Sequence, residues 1–130
     1  MAMTAAVSGT ALVGEAGNPE ITIPLNFTTP TITRKVGGIK KVIPQATSNQ
    51  AVSFEGITSA SFISIKARNS STGTPQNISV RLNGTITLPS LTDYIHSVGQ
   101  AAPGTAITSL EITTQAAAGD TTVDITIAGV

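Results

Sequence analysis

His96 is the single histidine of the chain, and cysteine is absent. Thiolate chemistry, thiolate metal sites and disulfides are therefore excluded. The segment 90–99, SLTDYIHSVG, sets Ser90, Asp93 and His96 at intervals of three. Those residue types could serve as nucleophile, orienting acid and base of a hydrolase. Such a triad needs a base aimed by a separate group at a nucleophile held beside an oxyanion hole. Three residues stacked on one short helix do not reproduce that geometry. The simpler reading is a capping box, with Asp93 in the Glu position, beside an exposed histidine. No catalytic residue and no enzymatic activity are expected.

The carboxylates offer little more. Glu111, Asp120 and Asp124 could gather round a calcium ion near the last two strands. They lack the close spacing of an EF-hand loop, and Asp120 after Gly119 reads as a turn residue. A carboxylate pair for glycoside hydrolysis need only meet in space, so spacing leaves it open. The aromatic residues are Phe27, Phe54, Phe62 and Tyr94, with no tryptophan, so stacking platforms for a sugar are scarce. No metal and no cofactor are expected.

Charge is unevenly placed. All seven basic residues (Arg34, Lys35, Lys40, Lys41, Lys66, Arg68 and Arg81) lie between positions 34 and 81, where Glu55 is the only acid. The remaining acids, Glu15, Glu20, Asp93, Glu111, Asp120 and Asp124, lie outside that span. Two readings are open. A basic face could meet an acidic partner surface, including the acidic flank of a neighbouring copy. Alternatively, the two groups interleave in the fold and cancel. Net charge is zero and no aromatic residue sits among Arg34, Lys35, Lys40 and Lys41, so direct nucleic-acid binding is not expected.

The elements that must carry these residues read as strands. Ile21, Ile23, Leu25 and Phe27 alternate with Thr22, Pro24, Asn26 and Thr28. That is a strand with one apolar face, and Pro24 puts it at an edge or a bulge. Residues 31–43 read as a hairpin turning at Gly37-Gly38, with the four cations around its tip. Lysines on a strand edge also discourage uncontrolled sheet growth. Val52 and Phe54 start a further strand. Ile63, Ile65 and Ala67 share a face, followed by the polar loop 69–76. In 77–88, matching the apolar faces favours a three-residue loop, Leu82-Asn83-Gly84, with Val80 opposite Ile86 and Ile78 opposite Leu88. Leu82 is then left at the tip, where something must cover it. Leu91, Tyr94, Ile95 and Val98 fall at i, i+3, i+4 and i+7, which predicts a short helix near 91–98. Leu110 and Ile112 mark one closing strand, and Val123, Ile125 and Ile127 the other, joined by a hairpin loop at 116–120.

Seven or eight short strands with turn signals between them predict an all-β domain. Its class is a small antiparallel β-sandwich or jelly roll with that one helix. The expected division is an N-terminal arm or edge strand over 1–18 and a single sandwich domain over 19–130. No run approaches the roughly 18–20 apolar residues of a membrane helix, and the N-terminus has no basic region of a signal peptide, so no membrane partner is expected. Charged residues make up 11% of the chain, against roughly 25% in an average soluble domain. Low charge, zero net charge and much apolar surface favour burial in an assembly.

This Thr- and Ala-rich chain without Cys or Trp opens on MAMTAAVSGTALVG and closes on TSLEITTQAAAGDTTVDITIAGV. In these features it resembles the small β-sandwich structural proteins of tailed-phage virions, especially capsid decoration (cement) proteins. The resemblance implies a homotrimer seated on the outer capsid surface, with the major capsid protein and itself as partners, made in the host cytoplasm and carried in the virion. It transfers no site residue. The surface residues that the sequence itself puts forward for such contacts are Arg34, Lys35, Lys40, Lys41 and Leu82. A tail, neck or fibre component and a carbohydrate-binding or adhesin module are the alternatives.

Overall fold

The computed structural model describes residues 6–13, 21–28, 32, 34–97 and 107–130. Ten strands follow one another: β1 (Ala6–Val13), β2 (Ile21–Thr28), β3 (Arg34–Ile43), β4 (Gln50–Ala51), β5 (Ala60–Asn69), β6 (Ile78–Leu82), β7 (Ile86–Leu91), β8 (Asp93–Ser97), β9 (Leu110–Thr114) and β10 (Thr121–Gly129). The protein is all-β, with no helix among the described residues.

Eight strands make two four-stranded antiparallel sheets, ordered β3-β10-β5-β8 and β4-β9-β6-β7. Four of the pairings are nested: β6 with β7, β5 with β8, β4 with β9, and β3 with β10. The chain is thus one long hairpin rolled upon itself, and the β10–β5 and β9–β6 pairings close the roll. This is the jelly-roll arrangement of a β-sandwich.

Period-2 alternation determines what is inside. On one sheet Ile43, Ile63, Ile65, Ala67, Val123, Ile125 and Ile127 are buried. They meet Ile78, Val80, Leu82, Leu110 and Ile112 of the other sheet in one core. Val52, Phe54 and Ile57 complete it. Val52 and Phe54 do so from a loop; the short strand stops at Ala51, and Glu55 and Gly56 turn the chain with positive φ.

Several expectations change. Residues 34–43 form one continuous strand and not a hairpin. The register passes from Ile125↔Ile39 to Ile127↔Val36, so Gly37 and Gly38 together oppose Thr126. Gly38 has φ +69°, and the glycine pair makes a bulge in an edge strand. The expected helix near 91–98 is also overturned, since Asp93–Ser97 is strand β8, paired with β5. A two-turn helix is too short to be stable by itself, whereas pairing with β5 bonds the backbone along the strand. Ser90 is no helix cap. Pro89 and Ser90 oppose Ser79 in a second bulge, with Ser90 at φ +55°.

The 78–88 hairpin has a three-residue loop, but one residue later than expected. Leu82 pairs with Ile86 and Val80 with Leu88, leaving Asn83, Gly84 and Thr85 in the loop. The shared apolar face survives this shift because the register moves by two. The segment 116–120 is no hairpin loop, because β9 and β10 belong to different sheets. It crosses the end of the sandwich, where Gln76 donates to the Gly119 carbonyl (3.0 Å) and Asn69 to the Ala118 carbonyl (2.9 Å). Asn69 and Asn83, both in glycosylation-type sequons, spend their amide groups on internal bonds of this kind.

β1 and β2 stand apart. They pair with each other from Ala6↔Thr28 to Val13↔Ile21 and, among the described strands, with no other. Ile21–Thr28, expected within the sandwich, is thus paired with β1 and with neither four-stranded sheet. Residues 1–5 and 14–18 of the expected arm lie outside the described residues, as do Val98 and the loop 99–105.

Ile125, at the centre of β10, tests the core. Ile125→Ala is expected to cost about 2–5 kcal/mol in denaturant unfolding, through lost burial and a residual cavity. Val42→Ala, at an exposed position of the neighbouring strand, is expected to change stability by no more than about 0.5 kcal/mol.

Candidate functional site

The trio Ser90, Asp93 and His96 does not come together. Asp93 and His96 lie on opposite faces of β8, because three residues span an odd number of strand positions. Asp93 instead meets Arg68, with Nη2 to Oδ1 at 3.2 Å. Glu111, Asp120 and Asp124 are dispersed as well. Glu111 lies 3.5 Å from Arg81, Asp124 lies 3.9 Å from Lys40, and Asp120 accepts from the Gln45 amide at 3.1 Å. Among the described residues no three acids or histidines stand close enough to hold a metal ion.

The cations follow from the roll. β10 runs between β3 and β5, so the register places Lys40, Asp124, Lys66 and Asp93 side by side across all four strands. Charges alternate along that row, an arrangement in which each cross-strand neighbour is favourable. On the other sheet Arg81 is opposite Glu111. Arg81 also donates through Nε to the Gly84 carbonyl at 2.7 Å and so braces the turn that follows it. The acids of the sequence flanks thus interleave with the basic middle, and the second of the two charge readings holds for these pairs.

The proposed contact residues do not converge. Lys35 is exposed opposite Ala128, and Lys40 is exposed opposite Asp124. Lys41 sits opposite Val123, on the core-facing side of the edge strand between Ile39 and Ile43. An inward lysine at a sheet edge blocks further strand pairing. The Arg34 side chain lies outside the described part. Leu82 is 3% exposed and belongs to the chain's own core, so its own fold covers it.

A cleft not evident from residue order lies at the other edge of the sandwich. β7 and β8 are consecutive, joined through Thr92, yet lie at the free edges of different sheets. Between them opens a cleft of about 340 Å³, lined by Leu82, Ile86, Leu88, Tyr94, His96 and Ile107. The lining is mainly apolar. Its polar groups come from Asn83, Tyr94 and His96; the His96 Nδ1 is 3.1 Å from the Tyr94 hydroxyl, and its Nε2 is buried with no hydrogen-bond partner among the described residues. The pattern that could have revealed it is Tyr94-x-His96, two same-face positions of a strand, which a helical reading hides.

Burial lowers the pKa of His96 below its ordinary 6.5, since the cleft disfavours the imidazolium. The unfolded chain therefore takes up a proton at higher pH than the fold does. Stability linked to His96 is complete above about pH 6.5 and is lost as pH falls through the lower folded value. The melting temperature is expected to drop between pH 7.5 and 5.5 in the wild type and to drop less in His96→Phe, as read by thermal scans at matched salt. No protein-family description, no curated protein and no solved structure matches the chain.

Proposed function

We propose that this protein is a structural component of a tailed-phage virion, a decoration protein that seats on the assembled head as a homotrimer and stabilises it. The observation that carries this reading is the β1–β2 ribbon. Among the described strands it pairs with neither sheet of the sandwich, and its sixteen strand residues include no charged side chain. A two-stranded ribbon is marginal in water without a surface to lie on. Gly9, in its first strand, has open space where a Cβ would stand. A neighbouring subunit or the shell supplies such a surface. The sandwich surface also suits a docking part more than a cation-driven binder, because Lys40, Arg68 and Arg81 are matched by acids of the same fold. Jelly rolls occur in capsid proteins and lectins alike, so the fold by itself does not choose between them.

Binding only to assembled shells would stabilise them by linkage, and three-fold seating would add avidity. The test is co-sedimentation with empty shells of the phage that encodes the chain, followed by cryo-electron microscopy of the loaded particles. Density at three-fold positions is expected. Removing residues 1–28 is expected to cut occupancy about tenfold while the sandwich keeps its cooperative melt. Occupancy should change little between roughly 50 and 500 mM salt, since paired surface charges leave little attraction to screen. Density on the tail, or shells left bare by the full chain, would refute the head assignment.

A further inference from the structure

Among the described strands the sandwich has four sheet edges, and three of them carry a device against strand addition. β3 has Lys35, Lys40, the inward Lys41 and the Gly37-Gly38 bulge. β4 is only two residues long. β7 has Pro89 and its bulge at Ser90. Short strands, lysines, proline and bulges are the usual means of blocking an edge. β8 has none of them. It holds a regular register with β5 over all five residues, from Phe62↔Ser97 to Lys66↔Asp93. Its single charge, Asp93, is engaged by Arg68.

The backbone of β8 is set up for one particular partner. The Ala67 amide donates to the Thr92 carbonyl at 2.8 Å. Groups alternate along an antiparallel strand, so Tyr94 and His96 turn their N–H and C=O toward β5. Asp93, Ile95 and Ser97 then turn theirs away from β5, where no described strand pairs with them. The Ile95 side chain is 54% exposed on the outer face.

We propose that β8 is a self-docking edge: the β8 strands of two copies pair antiparallel about a two-fold axis centred on Ile95. In that register Ile95 exchanges both backbone bonds with the partner's Ile95, and the two isoleucines lie side by side. Tyr94 is opposite the partner's His96, and Asp93 is opposite the partner's Ser97. The two aspartates therefore sit at opposite ends of the contact and do not repel. The apolar cleft lined by Tyr94 and His96 lies beside this same edge, so the contact adjoins a second apolar surface. An isologous contact needs such a self-complementary strand, and this sequence supplies one.

Five residues span about 17 Å, and one strand pair buries less than the roughly 1,200 Å² of a lasting interface. The pairing is therefore weak in dilute solution and persistent where copies are held side by side. It does not rest on the head-shell reading, because two copies pair or fail to pair whatever else they dock onto.

The chain lacks cysteine, so a single introduced thiol reports the contact cleanly. Full-length Ile95→Cys under mild oxidation is expected to form a disulfide-linked dimer at least about tenfold faster than Thr87→Cys, an exposed control on β7. A directly opposed hydrogen-bonded pair has a Cα separation of about 5.5 Å, which suits a disulfide. Sedimentation velocity should show self-association that rises with concentration and weakens about tenfold or more in Ile95→Lys, with the melting transition retained. Equal cross-linking rates in the two cysteine variants would overturn the proposal. So would self-association that Ile95→Lys leaves unchanged, or a mass that does not vary with concentration.

Discussion

The fold depends on the burial of its last strand. β10 lies between β3 and β5, and Thr121, Val123, Ile125 and Ile127 are almost wholly excluded from solvent. Without it β3 has no partner in its sheet, and β5 loses the neighbour that aligns it. The nested pairing has the same implication. β6 and β7 can meet as soon as both are made, but each outer pair spans a longer loop. The outermost, β3 with β10, closes across nearly the whole sandwich. Contacts so distant in sequence fold slowly, because loop entropy is lost before burial compensates it.

The same placement determines the electrostatics. In sequence the chain looks like a basic centre between acidic flanks. The roll inserts the acidic β10 between the lysine-bearing β3 and β5 and sets the acidic β9 beside the arginine of β6. Three ion pairs result among the described residues, Lys40–Asp124, Arg68–Asp93 and Arg81–Glu111. Exposed pairs of this kind contribute little to stability.

Much of the sandwich could be read from residue order, and the failures share a cause. Ile63-x-Ile65-x-Ala67 and Val123-x-Ile125-x-Ile127 state their buried face outright, because each lies in a strand with neighbours on both sides. Face matching found the 78–88 hairpin and its loop length, but a shift of two residues keeps the same face and so escaped it. Gly37-Gly38 has the chemistry of a turn and of a bulge alike; only the partner strand β10, some ninety residues away, decides between them. Residues 91–97 fit a helical period because strand β8 has one wet face, with Ile95 exposed between the inward Tyr94 and His96. The cleft was illegible for the same reason, since its walls come from two sheets. The inward direction of Lys41 and the burial of Leu82 depend on register, which local spacing does not contain.

Arg34 and Gly129 are register partners, so the sandwich begins and ends at one pole. The chain passes from the ribbon to the body through Ile32, which is buried, and enters β3 at Arg34. A pull on the ribbon against a body held at the opposite pole would load the β3–β10 ladder lengthwise. All its hydrogen bonds would then resist at once, as in a lap joint. A pull that separated the ribbon from the chain's other end would instead peel the two strands apart, one bond after another. The strength of any attachment made through the ribbon therefore depends on where the body is gripped, a mechanical anisotropy written into the pairing of the first strand of the sandwich with the last.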